Sequence, residues 1–501
     1  MSPTVNRRKL VLALAAAGVA PGARAVETTA QAFDANTAAN PWFTPFKGVG
    51  EATQDLQNDA LTLSGKWPAN LRGRFYRNGP ALFERGGVRY QHWFDGDGMV
   101  QQFSIGGGRV AHRGRMVRTP KLLAEQQAGH FLYSVYGTQV PAGAQPRGPD
   151  SFNSANTNAI EHAGRVLAMW EGGSAMAMDP KDLATTGAVT WKAGLEQMPF
   201  SAHPKVDASG HLWNIGAAGN KLVVWHIDPR GALVQAQVVD SPYPGGMVHD
   251  MSVTAQYVVV PLPPVKMHFG RGDPASCSEF QPNEPLRVLV LRKDDLSQRR
   301  IFELPAQMMF HIGNTFERGD GSIVMSYAGA ADASFLSHGA VSLLRGQPNR
   351  GADPGTCVAM LDMRSGRAQV QHLGDIAEFP RVHPRLVGQR ANFLLSTATW
   401  LRHSGRDIGL FHGVQLVDMT SGKADRYDYG VDHVVEEHIL VPRPGSTRER
   451  DAWLLGTTFD AKRQITMLHL LDAQRVAAGP IAQAALPYKL PLGFHGNFTA
   501  A

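Results

Sequence analysis

Apolar and β-branched residues recur along most of the chain in short runs, each closed by Gly, Asp, Asn or Pro. The runs at 165–170, 222–227, 288–292, 323–327, 358–362, 414–418, 452–459 and 465–471 have the length and composition of strands. Many stop at an aspartate that opens a turn, as in Asp179-Pro180, Asp228-Pro229 and Asp418-Met419-Thr420-Ser421-Gly422. Ser209-Gly210 predicts a hairpin tip between the runs around Val206 and Trp213. Strand, turn and strand repeat at about 40–50 residues per unit, which predicts propeller blades built from antiparallel sheets. No strict WD or kelch signature accompanies the repeat. A helical pattern is convincing only at 120–128, where Pro120 suits a first turn. No shift in composition marks a linker. The pattern therefore predicts one large all-β domain over 41–501, preceded by a flexible segment over 26–40.

The start of the chain follows a different logic. Arg7-Arg8-Lys9 leads into an apolar run from Leu10 to Ala20 and then Ala23-Arg24-Ala25. A charged start, a short apolar stretch and a small-x-small site make an export signal over 1–25, cleaved after Ala25. The run is too short for a bilayer core about 30 Å thick. Paired arginines point to the twin-arginine export machinery, and so to a periplasmic or otherwise exported mature chain.

Composition changes the picture in three places. Gly (53) and Pro (32) exceed ordinary usage in 501 residues, as expected of a turn-rich all-β chain. The net charge of +6 includes Arg7, Arg8, Lys9 and Arg24 of the export signal, so the body is nearly neutral. That argues for no nucleic-acid partner. Cys277 and Cys357 are too few for a disulfide framework and read as unpaired small apolar residues.

The candidate chemistry lies in the histidines. Four of the 19 have strong local contexts: Ala202-His203-Pro204-Lys205, Val248-His249-Asp250-Met251, Phe310-His311-Ile312-Gly313 and Phe494-His495-Gly496-Asn497. Each flanks a predicted strand. The inner ends of propeller blades converge on one axis, so residues far apart in sequence can meet there. Spacing alone establishes no metal site, because no local pattern such as HExxH is present and buried histidines commonly serve packing.

These segments, with Arg77-Asn78-Gly79-Pro80 and His92-Trp93-Phe94-Asp95-Gly96-Asp97-Gly98-Met99, resemble the carotenoid cleavage oxygenases. Those are non-haem iron enzymes that split alkene bonds with dioxygen. The resemblance runs in order to the terminal Phe494-His495-Gly496. It implies a seven-bladed β-propeller with a dome of loops and short helices over an axial metal site. It also implies one iron(II) per subunit, held by His203, His249, His311 and His495. Glu171, Glu378 and Glu437 match the family's outer glutamates, which accept hydrogen bonds from ligating imidazoles; Glu436 rivals Glu437. Neutral imidazoles suit iron(II), and equally zinc, copper or nickel. An outer acceptor fixes their tautomer and orientation. His383 and His433 read as ordinary residues. Asp95-Gly96-Asp97-Gly98 lacks the further ligands of a calcium loop and reads as a tight turn.

Family members act on carotenoids, apocarotenoids or hydroxylated stilbenes. Stilbene cleavers resemble one another in a Lys before the first outer glutamate, with a Tyr elsewhere to engage the phenol. Trp170 stands there in this chain, and Trp170-Glu171-Gly172-Gly173 resembles the bacterial apocarotenoid-cleaving branch. The implied function is oxygenase cleavage of a carotenoid or apocarotenoid double bond to carbonyls, with Trp170, Tyr133 and Tyr136 as substrate contacts. Two alternatives stand beside it: the same chemistry on a hydroxystilbene or lignin-derived phenylpropenoid, and a metal-binding propeller without catalysis. Leu122-Leu123, Phe131-Leu132, Phe335-Leu336 and Leu343-Leu344 are candidates for peripheral membrane contact.

Overall fold

Nearly every run named above pairs antiparallel with a chain neighbour, and a computed structural model places the resulting sheets around one axis. It describes residues 28–53, 55–268, 277–400 and 409–501, so the expected export signal over 1–25 lies outside the described residues. Among the described residues the main sheets divide into seven blades. Blade 1 runs from Asp55–Asn58 through Arg109–Met116, Asp97–Gly106 and Gly73–Leu82 to an inner strand from the far end of the chain, His495–Ala500. Blades 2, 3 and 4 are four-stranded, with inner strands Asn158–His162, Lys205–Val206 and Ser252–Val253. Blades 5 and 6 share a seven-stranded sheet, because Ala368–Arg381 is the outer strand of one and the inner strand of the next. Its first part pairs with Gly355–Asp362 and its last part with Phe393–Thr399. Blade 7 begins at His433–Pro442 and closes outside on Thr62–Gly65. The two ends of the chain therefore stitch the ring twice, in blades 1 and 7.

The aspartates that close strands have a direct physical role. Asp228 accepts hydrogen bonds from the N–H groups of Arg230 and Ala232, and Asp418 from those of Thr420 and Ser421. Such side chains stand in for a backbone acceptor and tighten the turn. Between blades the core is apolar: Val288 and Val290 meet Ile323, Met325 and Tyr327, each at most 1% exposed. Burying one such side chain stabilises the fold by about 1.5–3 kcal/mol.

Three expectations need correction or qualification. The segment expected to be flexible contains a helix, Thr29–Ala39, opened by a capping box between Thr28 and Gln31. Buried Phe33 anchors it, with the Arg89 guanidinium 4.0 Å from its ring centroid. The helix at Pro120–Ala128 forms as the sequence predicts, but it is joined by helical turns at Pro41–Lys47, Phe335–Gly339 and Ala340–Leu344. The segments read as membrane-facing are mostly dome interior. Leu122, Phe131, Leu336, Leu343 and Leu344 are buried, several against Phe46 and Trp93, and only Leu123 is exposed. No helix among the described residues is long and apolar enough to cross a membrane. Cys277 and Cys357 are buried, and no disulfide joins them.

Candidate metal centre

Each blade delivers one of the seven residues singled out for the metal to the axis. His495 opens the inner strand of blade 1, and Glu171 follows Arg165–Met169 of blade 2. His203 and His249 precede the inner strands of blades 3 and 4. His311, Glu378 and Glu437 lie within the inner strands of blades 5, 6 and 7. These last three sit at breaks in strand register, between Met309 and Ile312, Glu378 and Arg381, and Val435 and His438. A β-bulge bends a strand and re-aims its side chains, which turns these residues onto the axis.

The four imidazoles meet. Nε2 of His311 is 3.2 Å from Nε2 of His249 and 3.1 Å from Nε2 of His495. The ring centroid of His203 lies 4.4 Å from that of His249, 5.1 Å from His311 and 4.6 Å from His495. On the far side of the rings stand the carboxylates. Nδ1 of His311 is 2.6 Å from Glu378, and Nδ1 of His495 is 3.0 Å from Glu437. Glu171 Oε1 is 3.1 Å from Nδ1 of His249, close but poorly aligned for a hydrogen bond. The rival Glu436 faces elsewhere, toward Arg77, the Thr457 hydroxyl and the Gly493 N–H.

The electrostatics favour the neutral form of His203 and His495. Burial drives the His203 ring well below its ordinary pKa, reinforced by the other three histidines. Burial likewise takes His495 down to about 3, although Glu437 opposes it. At His249 burial is again the largest single influence and pulls the same way, but Glu171 and the charges of Asp250 and Glu378 together outweigh it and the net shift is upward. Burial alone would raise the Glu437 carboxyl; Arg381 and His495 instead hold it well below the usual carboxylate range. The donor set fits a metal. His203 Nε2 is buried with no hydrogen-bond partner, a costly state for a lone pair unless a cation faces it. With Nδ1–H directed to an acceptor, the Nε2 lone pairs of His311 and His495 face inward.

Above the histidines lies a cavity of about 1280 Å³, bordered by His249, His311 and His495 and by aromatic rings including Phe94, Trp170, Phe310 and Phe494. Its volume exceeds the roughly 300–1,000 Å³ typical of small-molecule sites. Trp170 and Tyr136 border it, whereas Tyr133 does not; the Tyr133 N–H is held instead by Glu125. His433 also borders the cavity, with Nδ1 3.2 Å from the Thr458 hydroxyl. No Lys or Arg is among the described residues that line it.

This arrangement can be set beside known proteins. The family of retinal pigment epithelial membrane protein (RPE65) matches residues 50–500. The chain belongs to this family, that of the carotenoid cleavage oxygenases. Apocarotenoid-15,15'-oxygenase of Synechocystis sp. is 31% identical over 90% of this chain and 95% of its own. Lignostilbene-alpha,beta-dioxygenase isozyme III of Sphingomonas paucimobilis is 29% identical over 89% and 95%. A cobalt-substituted structure of the Synechocystis oxygenase superposes with a TM-score of 0.81 at 27% identity, covering 92% of this chain and 99% of that one. The chain is therefore an oxygenase with a β-propeller fold, and its histidine cluster could hold a metal ion.

Several further residues shape the centre without a local sequence signal of their own. Arg381 grips Glu437 through Nε at 2.8 Å and a terminal nitrogen at 3.1 Å. Phe379, at φ +54°, stacks on His311 with centroids 5.4 Å apart, and its N–H donates to Glu378. Asp250 was visible only as the neighbour of His249. Their signal was adjacency to a site residue, which carries no chemistry until the blades are assembled.

Proposed function

We propose that this protein is an iron(II)-dependent oxygenase that cleaves a carbon–carbon double bond of a carotenoid or apocarotenoid with dioxygen, giving two carbonyl products. The observation that carries this reading is the four-imidazole cluster at the floor of an aromatic-lined cavity. His203, His249, His311 and His495 would hold the metal through Nε2. Iron(II) held there supplies the binding and activation of dioxygen. Glu378 and Glu437 keep the Nδ1 protons of His311 and His495 turned outward. Trp170, Phe310 and Phe494 offer apolar faces to a polyene and exclude water from the reacting bond. No Lys or Arg among the described lining residues would pair with a phenolate.

The second reading is a hydroxystilbene or lignin-derived phenylpropenoid, and Tyr136 on the cavity wall favours it. Its hydroxyl is 3.1 Å from Ser278 Oγ, and burial keeps it protonated well beyond its ordinary pKa. It would act as a neutral hydrogen-bond partner and not as a base. The test incubates iron-loaded protein separately with an apocarotenal and a hydroxystilbene and identifies the aldehydes. Cleavage of the apocarotenal is the expected result. Turnover of the stilbene alone would replace the first reading with the second.

Residues 1–25 are proposed to send the folded, metal-loaded chain to the periplasm through the twin-arginine machinery. Arg7 and Arg8 support this. Imidazole sites favour copper and zinc over iron(II), so loading before export avoids that competition. Replacing both arginines with lysine should leave a folded precursor in the cytoplasm. Normal export of that variant would assign the general secretory route.

A further inference from the structure

Asp250 follows His249 and is 2% exposed, and its carboxylate is engaged by groups other than the imidazoles. Oδ1 accepts from Lys205 Nζ at 2.7 Å and from the Met251 N–H at 2.7 Å. Oδ2 accepts from the Ile312 N–H at 2.7 Å. Lys205 is two residues after His203, and Ile312 is the residue after His311. One carboxylate thus ties together the chain segments of three histidines that come from blades 3, 4 and 5. Ile312 stands where the register of its strand shifts, so Asp250 takes a donor that the bulge disturbs. A buried carboxylate holding a cation and two N–H groups makes three charge-assisted bonds, which stiffens the linkage.

We propose that Asp250 is a positioning residue that sets the spacing of His203, His249 and His311, and through it the affinity and geometry of the metal. This rests on the metal reading given under Proposed function. Asn at 250 keeps the shape but replaces one acceptor with a donor, which opposes either Lys205 or the Ile312 N–H. The full chain, its Asp250→Asn form and its Lys205→Met form are titrated with cobalt(II), following the visible absorption, and with iron(II). Asp250→Asn should bind both metals about 10–100-fold more weakly, the usual cost of losing an outer support, with an altered cobalt spectrum. Lys205→Met leaves the bond to Ile312 and should lose less, with a smaller spectral change. Should Asp250→Asn fail to fold, Lys205→Met decides alone. Wild-type affinity and spectrum in the folded variants, whatever their melting temperatures, would overturn the positioning role. Absence of binding by the unaltered chain would instead overturn the metal reading, and the role of Asp250 with it.

Discussion

Glu437 and Glu171 approach Nδ1 of a histidine at nearly the same distance, 3.0 and 3.1 Å, from opposite kinds of surroundings. Glu437 is 1% exposed; both its oxygens are gripped by Arg381, and Oε2 also accepts from the Gly496 N–H at 2.7 Å. The Glu171 side chain is 34% exposed, borders the cavity beside Trp170, and its nearer oxygen makes no aligned hydrogen bond. The difference teaches that the centre is rigid where blades 6, 7 and 1 meet and compliant toward blade 2. Both sides border the cavity, Glu171 and Trp170 on one and Glu378 and His495 on the other.

The bluntest way to break this comparison is to delete a ligand from either side. His203→Ala, His249→Ala, His311→Ala and His495→Ala should each lose most bound metal and all cleavage, because each would supply one of the four proposed donors. Full metal content in any purified variant would remove that residue from the centre.

The glutamates then separate the two sides. Glu437→Gln strips a charged acceptor from Arg381 and from the Gly496 N–H, so stability should fall by about 1.5–3 kcal/mol along with metal binding. Urea or thermal unfolding reads the first effect and metal titration the second. Glu171→Gln should weaken metal binding by about 10–100-fold. Its unfolding curve should not move, since few bonds are lost in a half-exposed setting. Equal unfolding losses in the two variants would erase the distinction drawn here.

How much of this was written locally in the chain follows the same division. Strands such as Leu212–Ala218, Ala452–Asp460 and Ile465–Asp472 announce themselves by β-branched or aromatic runs, and their aspartate turns by short-range hydrogen bonding. The four histidines were picked out by their neighbours and by family resemblance. The bulges that aim His311, Glu378 and Glu437 were not legible, because register belongs to a pair of strands and not to one. Ala368–Arg381 is hard to recognise locally because its first part carries Gln369, Gln371 and His372, exposed at a blade's outer edge. The helix Thr29–Ala39 was missed because a single buried aromatic, Phe33, holds a sequence with no apolar stripe. Tyr133 and Tyr136 look alike in sequence, and only the dome's path puts one of them on the cavity.

The finest test lies at Trp170, where the compliant side meets the cavity. Its indole stands edge-on to Phe152 at 5.3 Å and adjoins Glu171 in the chain, so it could serve the substrate or the glutamate. Trp170→Phe keeps an aromatic face and removes part of the apolar area. If the indole contacts a polyene, the variant should lose about 1 kcal/mol of binding, about fivefold in KM, at unchanged metal affinity. A drop in metal affinity at constant KM would make Trp170 a support for Glu171. A KM unchanged together with unchanged metal affinity would place the substrate path away from blade 2 and move the compliant side of the centre out of its reach.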